Sequence, residues 1–256
     1  MKKETVLMFG GGRQTMAILA LIKRGVIQKP WKIVMSDTSY ENSSTWEYKK
    51  AVADPLARSF GMEIEVASHD YATVDLYAHN DDLLIPAFTA TGKLPTFCSN
   101  EWKLRVCNRY IRDKYGLYST EFISMIGFAF DEGQRVKKKR QGDPTAIFPL
   151  SDLMITTDGG LKILNDMGIP EPPVPSACWM CPNKANPEWR YEKEYHPADF
   201  QNAIELEKEI QEWDIMSGGD GKLFLHHSRV PLSQADLSSD ESPQQYRACG
   251  LGLCMI

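Results

Sequence analysis

Thr5-Val-Leu-Met-Phe9-Gly10-Gly11-Gly12-Arg13-Gln14-Thr15-Met16-Ala-Ile-Leu-Ala-Leu-Ile22 decides how the rest of the chain is read. An apolar run of β type stops at three glycines, and an apolar helical pattern begins at once. That order predicts a strand, a tight turn and a helix N-terminus. Glycines let backbone N–H groups approach an anion closely, and the helix start aims partial positive charge at the same point. Phosphate is the expected occupant of the turn from Gly10 to Thr15. Arg13 could add charge-assisted bonds, and Gln14 and Thr15 could donate to phosphate oxygens. The loop lacks the Gly-Lys-Ser/Thr ending of a P-loop NTPase and the third glycine of a dinucleotide fingerprint. The plainer alternative is a strand-to-helix turn that binds nothing.

Outward from this turn, Trp31-Lys-Ile-Val-Met-Ser36 reads as a second strand ending at Asp37-Thr38. Ser43 or Ser44 can cap a helix running through Trp46 to Phe60, and Gly61 stops it. Met62 to Ala67 alternates as a third strand. Strand, helix, strand, helix, strand at this spacing predicts an α/β fold with a Rossmann-like parallel sheet and right-handed crossovers. Ligands on such sheets sit at the C-terminal strand ends, where the glycine loop and Asp37 fall together. Asp37 there reads either as a contact to a ribose hydroxyl or as a turn cap.

Further on, Asp70 to Pro95 is irregular, Asn100 to Tyr115 is helical up to Gly116, and Phe122 to Gly127 is another β-type run. Arg135 to Pro144 reads as a polar exposed stretch, and Asp131-Glu132-Gly-Gln-Arg135 as a charged turn after a strand. Helical patterns begin at Ser151 and again around Leu161 to Met167. Four prolines between Pro170 and Pro175 read as a stiff linker. Beyond it come Cys178-Trp-Met-Cys181-Pro182, an amphipathic helix pair with Pro197 opening the second, and a tail ending Cys249-Gly-Leu-Gly-Leu-Cys254-Met-Ile256. The expected division is a nucleotide-binding α/β domain over 1–169 and a cysteine-bearing helical segment over 170–256 packed on it.

With 256 residues, 43% of them apolar, the chain can bury a substantial core. A formal charge of −5 gives no support for general nucleic-acid binding, and the basic run Arg135-Val-Lys-Lys-Lys-Arg140 is the one local exception. No basic-then-apolar leader and no apolar run of membrane-spanning length is read, so the expected location is cytoplasmic and no membrane partner is expected. Six cysteines in that compartment point to metal, redox chemistry or burial rather than structural disulfides. Cys178-x-x-Cys181 lets two thiolates reach one metal centre, whether zinc or an iron–sulfur cluster. A redox dithiol or two buried small residues are the alternatives. Cys98, in a loop before a helix, suits a further ligand. Cys107, inside that helix, reads as core. Either tail cysteine could complete the set. The five histidines, His226-His227 among them, show no ligand spacing with the cysteines.

Taken together, these pieces resemble the phosphoadenosine phosphosulfate reductase family of the adenine-nucleotide α-hydrolase (PP-loop) superfamily, in particular its phage and bacterial reductase-like members. Gly10 to Thr15 is similar to the Ser-Gly-Gly-x-x-Ser pyrophosphate loop, with Gly10 in place of the first Ser and Thr15 of the second. Asp37-Thr38 is similar to the Asp-Thr after the second strand. Cys98 followed by Trp102-Lys103-Leu104, the region Gly127 to Arg135, the segment Ser176 to Pro182 with Glu188-Trp189-Arg190, and Cys249-Gly-Leu251 resemble the family's other motifs. Ala129 stands where the family has an arginine, no histidine follows Leu251, and Cys98 is single where cluster-bearing reductases have a pair.

The resemblance implies the fold, an adenine-nucleotide site built from Gly10, Gly11, Gly12, Arg13, Gln14, Thr15, Asp37 and Arg135, and a [4Fe–4S] cluster on Cys98, Cys178, Cys181 and Cys254. Cys249, in the Cys-Gly-Leu segment, is similar to the family's sulfur nucleophile, and that leaves Cys254 as the fourth cluster ligand, although the two roles could be exchanged. The favoured activity is adenine-nucleotide-dependent sulfur chemistry: ATP adenylates an acceptor on a nucleic acid or nucleotide, and sulfur displaces AMP. Developing charge would rest on the loop amides and Arg13, with or without Mg²⁺. A sulfur-donor or reductant protein is the expected partner. The rival readings are a sulfonucleotide reductase, with Cys249 attacking sulfur, and a non-catalytic nucleotide- and metal-binding subunit of a modification complex.

Overall fold

The computed structural model describes residues 3–77, 82–142 and 145–240. β1 (Glu4–Met8) enters the glycine turn and α1 (Arg13–Lys23) leaves it. β2 (Lys32–Ser36) follows, then one helical stretch made of α2 (Ser43–Tyr48), a π-turn (Lys49–Ala53) and α3 (Asp54–Arg58). Next come β3 (Ile64–Ala67), a π-turn (Ser99–Leu104) running into α4 (Arg105–Tyr115), and β4 (Phe122–Met125). The chain continues through α5 (Gly133–Gly142), β5 (Ala146–Ile147), α6 (Pro149–Asp152), α7 (Thr157–Asp166), α8 (Asn186–Tyr195) and α9 (Pro197–Met216).

All strand pairings are parallel, in the order β3-β2-β1-β4-β5. The order reverses between β1 and β4, and that is the crevice in which an open α/β sheet takes its ligands. Both faces are buried, as a parallel sheet requires. Leu7, Phe9, Ile33, Met35 and Met125 pack under α1, α3 and α7, while Val6, Met8, Val34 and Phe122 pack against Val106, Cys107 and Ile111 of α4. A separate apolar cluster joins Leu83, Leu84 and Trp102 to Met180, Trp189, Phe200 and Leu206, so α8 and α9 are tied to the segment ahead of α4. No helix among the described residues is long and apolar enough to cross a membrane.

The run from Arg135 onward, read as a polar exposed stretch, is helical, and Val136 is buried with Ile126, Phe128, Ala146 and Phe148 and docks α5 beside β5. One apolar residue in ten leaves no helical period, so only the tertiary contact reveals the helix. The fifth strand likewise has no signature in the sequence, since two residues carry no alternation.

On α4's side of the sheet, Glu65 accepts hydrogen bonds from Tyr110 (2.8 Å) and Tyr115 (2.6 Å), and pairs with Lys32 (3.0 Å) and Lys114 (3.2 Å). Burial alone would raise its carboxyl, but the bonds from Tyr115 and Tyr110, then Lys32 and Lys114, hold it at about 2. A carboxyl depressed in the folded state stabilises above its unfolded value and loses that contribution as pH falls toward the folded one. Wild type is therefore expected to lose more stability than Glu65→Gln between about pH 4.5 and 2. Urea melts at stepped pH test this, and parallel acid limbs for the two proteins would refute it.

Candidate functional site

The turn after β1 is shaped by contacts its glycines alone permit. Gly11 sits at φ +74°, and a Cβ there would lie 2.7 Å from the Thr45 methyl. A Cβ on Gly12 would lie 2.8 Å from Ser176 Oγ, and one on Gly127 would lie 2.9 Å from the Thr15 methyl and 3.3 Å from its backbone nitrogen. The β1 turn, the end of β4 and the segment before the Cys178 loop therefore meet at one place. They bound an open crevice of about 340 Å³ lined by Gly10, Gly12, Gln14, Thr15, Ile126, Gly127, Phe128, Glu132, Arg135 and Ser176.

This crevice lies at the reversal point of the sheet. The N–H groups of Arg13, Gln14 and Thr15 lie in the first turn of α1 and have no acceptor within the helix. The Thr15 hydroxyl donates to the Gly12 carbonyl at 3.1 Å. Arg135 lies over the Phe128 ring, 4.2 Å from its centroid, and pairs with Glu132, whose other oxygen accepts the Ala129 N–H at 3.0 Å. Of the eight residues expected to bind nucleotide, Gly10, Gly12, Gln14, Thr15 and Arg135 line the crevice, and Gly11, Arg13 and Asp37 stand outside its lining. Arg13 Nε is buried without a hydrogen-bond partner, a donor left over beside the turn.

Asp37 follows β2. Its Oδ1 accepts the Ser39 N–H at 2.7 Å, and Ser39 holds φ +59°. The turn-cap geometry is thus present, with the second carboxylate oxygen left to other use. Asp37→Ala is expected to lower stability by about 0.5–1.5 kcal/mol through loss of that bond. A ribose contact would add a loss of ATP affinity in calorimetry, and unchanged affinity would leave Asp37 with the turn alone.

The cysteine loop is laced to the chain just after β2. Asn42 N–H donates to the Ala177 carbonyl (3.0 Å), Trp179 N–H donates to the Tyr40 carbonyl (2.7 Å), and Glu41 and Cys178 form an antiparallel bridge. Cys178 Sγ lies 3.4 Å from Thr38 Oγ1. Below the loop, the buried Lys184 donates to the Trp179 carbonyl at 2.8 Å and to Asn42 Oδ1 at 3.1 Å, and pairs with Glu192 of α8. These bonds hold Cys178 at the C-terminal edge of the sheet, with Ser176 of the same loop over Gly12.

Cys98, Cys178 and Cys181 are free thiols within electrostatic reach of one another and of Lys103. Burial, then the Cys181 thiol, pushes the Cys98 thiol up to about 12, and burial, then Glu41, raises that of Cys178. Burial alone would lower Lys103, but Glu41 at 3.5 Å and the thiols of Cys178, Cys98 and Cys181 outweigh it and hold it above its ordinary value. Lys93 also faces Cys181 and Cys98, and its ammonium donates to Asn183 Oδ1. Cys107 is apart, fully buried in the α4 core.

Three thiols with cationic neighbours are donors of the kind that zinc or an iron–sulfur centre takes. Among the described residues no three His, Cys, Asp or Glu side chains are gathered closely enough to hold a metal ion. Cys249 and Cys254 lie outside the described residues. His226 is a packing residue, its Nε2 2.8 Å from Asn186 Oδ1.

The sequence left Glu132 out of the nucleotide-binding set, in a charged turn after a strand, and the structure brings it to the crevice. It also had no means of placing Ser176 against Gly12, because nothing in the chain marks a contact across that separation.

No protein-family model matches the chain, and no curated protein sequence matches it. Among solved structures the chain is similar to the U34-tRNA thiolase NcsA from Methanococcus maripaludis with its [4Fe–4S] cluster. The identity is 13%, the TM-score is 0.45, and the match covers 80% of this chain and 72% of that one. At that similarity the likeness carries no inference about activity, substrate or cofactor.

Proposed function

We propose that this protein is an enzyme of the PP-loop type that binds an adenine nucleotide at the β1–β4 crevice and performs nucleotide-dependent sulfur chemistry beside it. In this reading ATP adenylates an acceptor on a nucleic acid or nucleotide, pyrophosphate leaves, and sulfur from a donor replaces AMP. Residues 1–169 serve nucleotide binding and carry Cys98, and 170–256 would add Cys178, Cys181, Cys249 and Cys254.

One observation carries the reading. A single loop puts Ser176 over Gly12 of the glycine turn and, two residues later, Cys178 against Thr38 at the end of the next strand. Phosphate-binding backbone and thiols thereby share one edge of the sheet. The first-turn N–H groups of α1, with Arg13 and Arg135, would hold the phosphates and take up charge as pyrophosphate departs. Cys98, Cys178 and Cys181 would hold a [4Fe–4S] cluster, with Cys254 as fourth ligand and Cys249 as nucleophile. The cluster would supply a carrier for sulfur.

Anaerobic purification with iron and sulfide analysis, together with calorimetry of ATP binding and a pyrophosphate-release assay, tests this. The expected protein is brown and binds ATP. Stoichiometric zinc in a colourless protein would overturn the sulfur chemistry. Thiol-dependent reduction of phosphoadenosine phosphosulfate without ATP turnover would make it a sulfonucleotide reductase. A second reading, a non-catalytic subunit that binds nucleotide and metal, draws support from Glu132. That carboxylate occupies the crevice and already neutralises Arg135. Such a subunit would bind ATP without releasing pyrophosphate.

A further inference from the structure

A second cleft, of about 240 Å³, shares no lining residue with the nucleotide crevice. It is walled by the start of α2, by α8, by the start of α9 and by residues 174–175. Its lining is polar and closed to solvent. Asn42 is 3% exposed, Lys184 2%, Glu192 3% and Asp199 7%, and Glu188 stands half-buried among them.

The hydrogen bonds of these groups leave one gap. Asp199 accepts the Ser43 N–H at 2.7 Å and the Ser43 hydroxyl at 2.9 Å, and Glu188 accepts the Ala185 N–H at 2.9 Å. Lys184 gives its three protons to Asn42 Oδ1, the Trp179 carbonyl and Glu192 Oε2. The other oxygen of Glu192, Oε1, is buried, and no donor among the described residues reaches it. A carboxylate oxygen sealed from water without a hydrogen bond carries its full desolvation penalty, and in a polar cleft it calls for a donor from outside the chain.

Charge points the same way. Glu188, Glu192 and Asp199 line the cleft against the single ammonium of Lys184, whose donors are all engaged. His196 lines it too, with its Nε2 4.0 Å from Glu47. A ligand answering both features brings N–H donors and positive charge together. Water brings the donors alone, and an alkali ion the charge alone. Val174, Pro175 and the Tyr191 ring offer apolar contact to a short carbon stem.

We infer that this cleft binds the primary ammonium group of a small aliphatic amine, with Glu192 as its buried acceptor. The inference is independent of the sulfur-transfer reading, since no residue of the nucleotide crevice takes part.

The test uses the full chain and putrescine, with affinity from calorimetry and the folding of every variant from thermal melts. Wild type is expected to bind the amine and to melt at a higher temperature in its presence. Glu192→Gln keeps a carbonyl for Lys184 but loses the charged acceptor, and should weaken binding at least about tenfold. If that buried change unfolds the chain, the half-buried Glu188→Gln carries the test, with a loss of about threefold expected. Glu194→Gln removes the same charge from an exposed position of α8 and should have little effect. Unchanged affinity in the folded cleft variants would overturn the inference, as would an equal loss in Glu194→Gln or no binding by wild type. Tetramethylammonium carries the charge without an N–H donor. Competition by it as effective as that by methylammonium would likewise overturn recognition of an ammonium group.

Discussion

Cys178→Ser and Cys181→Ser are each expected to strip the iron from anaerobically purified protein, while Cys107→Ser leaves it in place. Cys178 and Cys181 sit in one loop with Cys98 in electrostatic reach, and Cys107 is sealed in the α4 core among Val106 and Ile111. Each variant removes one anchor of the cluster, so iron content and colour should fall sharply. Thiols bind metal only as thiolates, so iron retention should fall as pH is lowered. Lys93 and Lys103 supply positive charge on the same side. Iron analysis and absorption spectra of the three variants decide the matter. Cys254→Ser is expected to behave like Cys178→Ser, and Cys249→Ser to keep its iron. The reverse outcome would exchange the roles of the two tail residues. Full iron in Cys178→Ser would end the cluster assignment.

Gly12→Val, made in a Ser176→Ala background, is expected to abolish ATP binding while the protein remains folded. Gly11 is a poor place for this test. Its φ of +74°, and the Thr45 methyl 2.7 Å from where a Cβ would stand, would strain the fold whatever the ligand does. Gly12 has φ −91° and ψ 178°, extended backbone open to any residue, and its closest obstacle is the Ser176 hydroxyl. Removing that hydroxyl lets valine fit the fold while its methyls fill the crevice where phosphate is expected. Blocking an anion site made of backbone N–H groups should cost at least roughly 100-fold in affinity, about 3 kcal/mol. Calorimetry of the double variant against Ser176→Ala alone measures it, with thermal melts to establish folding. Equal affinities would refute a phosphate site at the glycine turn.

The parallel α/β order was legible because its signals are local. Apolar runs ended by Gly10, Asp37 and Gly127 gave strands, and apolar stretches begun at Arg13 and closed at Gly116 and Gly168 gave helices. Pro197 opened α9, as its lack of an N–H predicts. Where a segment's conformation came from distant contacts, local reading stopped. Val136 is the one buried apolar residue of α5 among those described, and β5 has only two residues. The π-turns at Lys49–Ala53 and Ser99–Leu104 also left no mark in the pattern.

For the candidate site the division falls between chemistry and placement. Residue order specifies the kinds of group available: a glycine turn before a helix, a Cys-x-x-Cys loop behind a proline-rich linker, and a concentrated basic run. The folded chain lays β4 beside β1, so that Arg135 and Glu132 close the crevice opened by Gly10 and Gly12. It likewise brings Ser176 and Cys178 to the ends of β1 and β2, and turns one oxygen of Asp37 back to Ser39. Residue type and short-range spacing fix which bonds a side chain can make. Which partners it meets depends on strand order and on the burial of residues far apart in the chain, and those are properties of the whole fold.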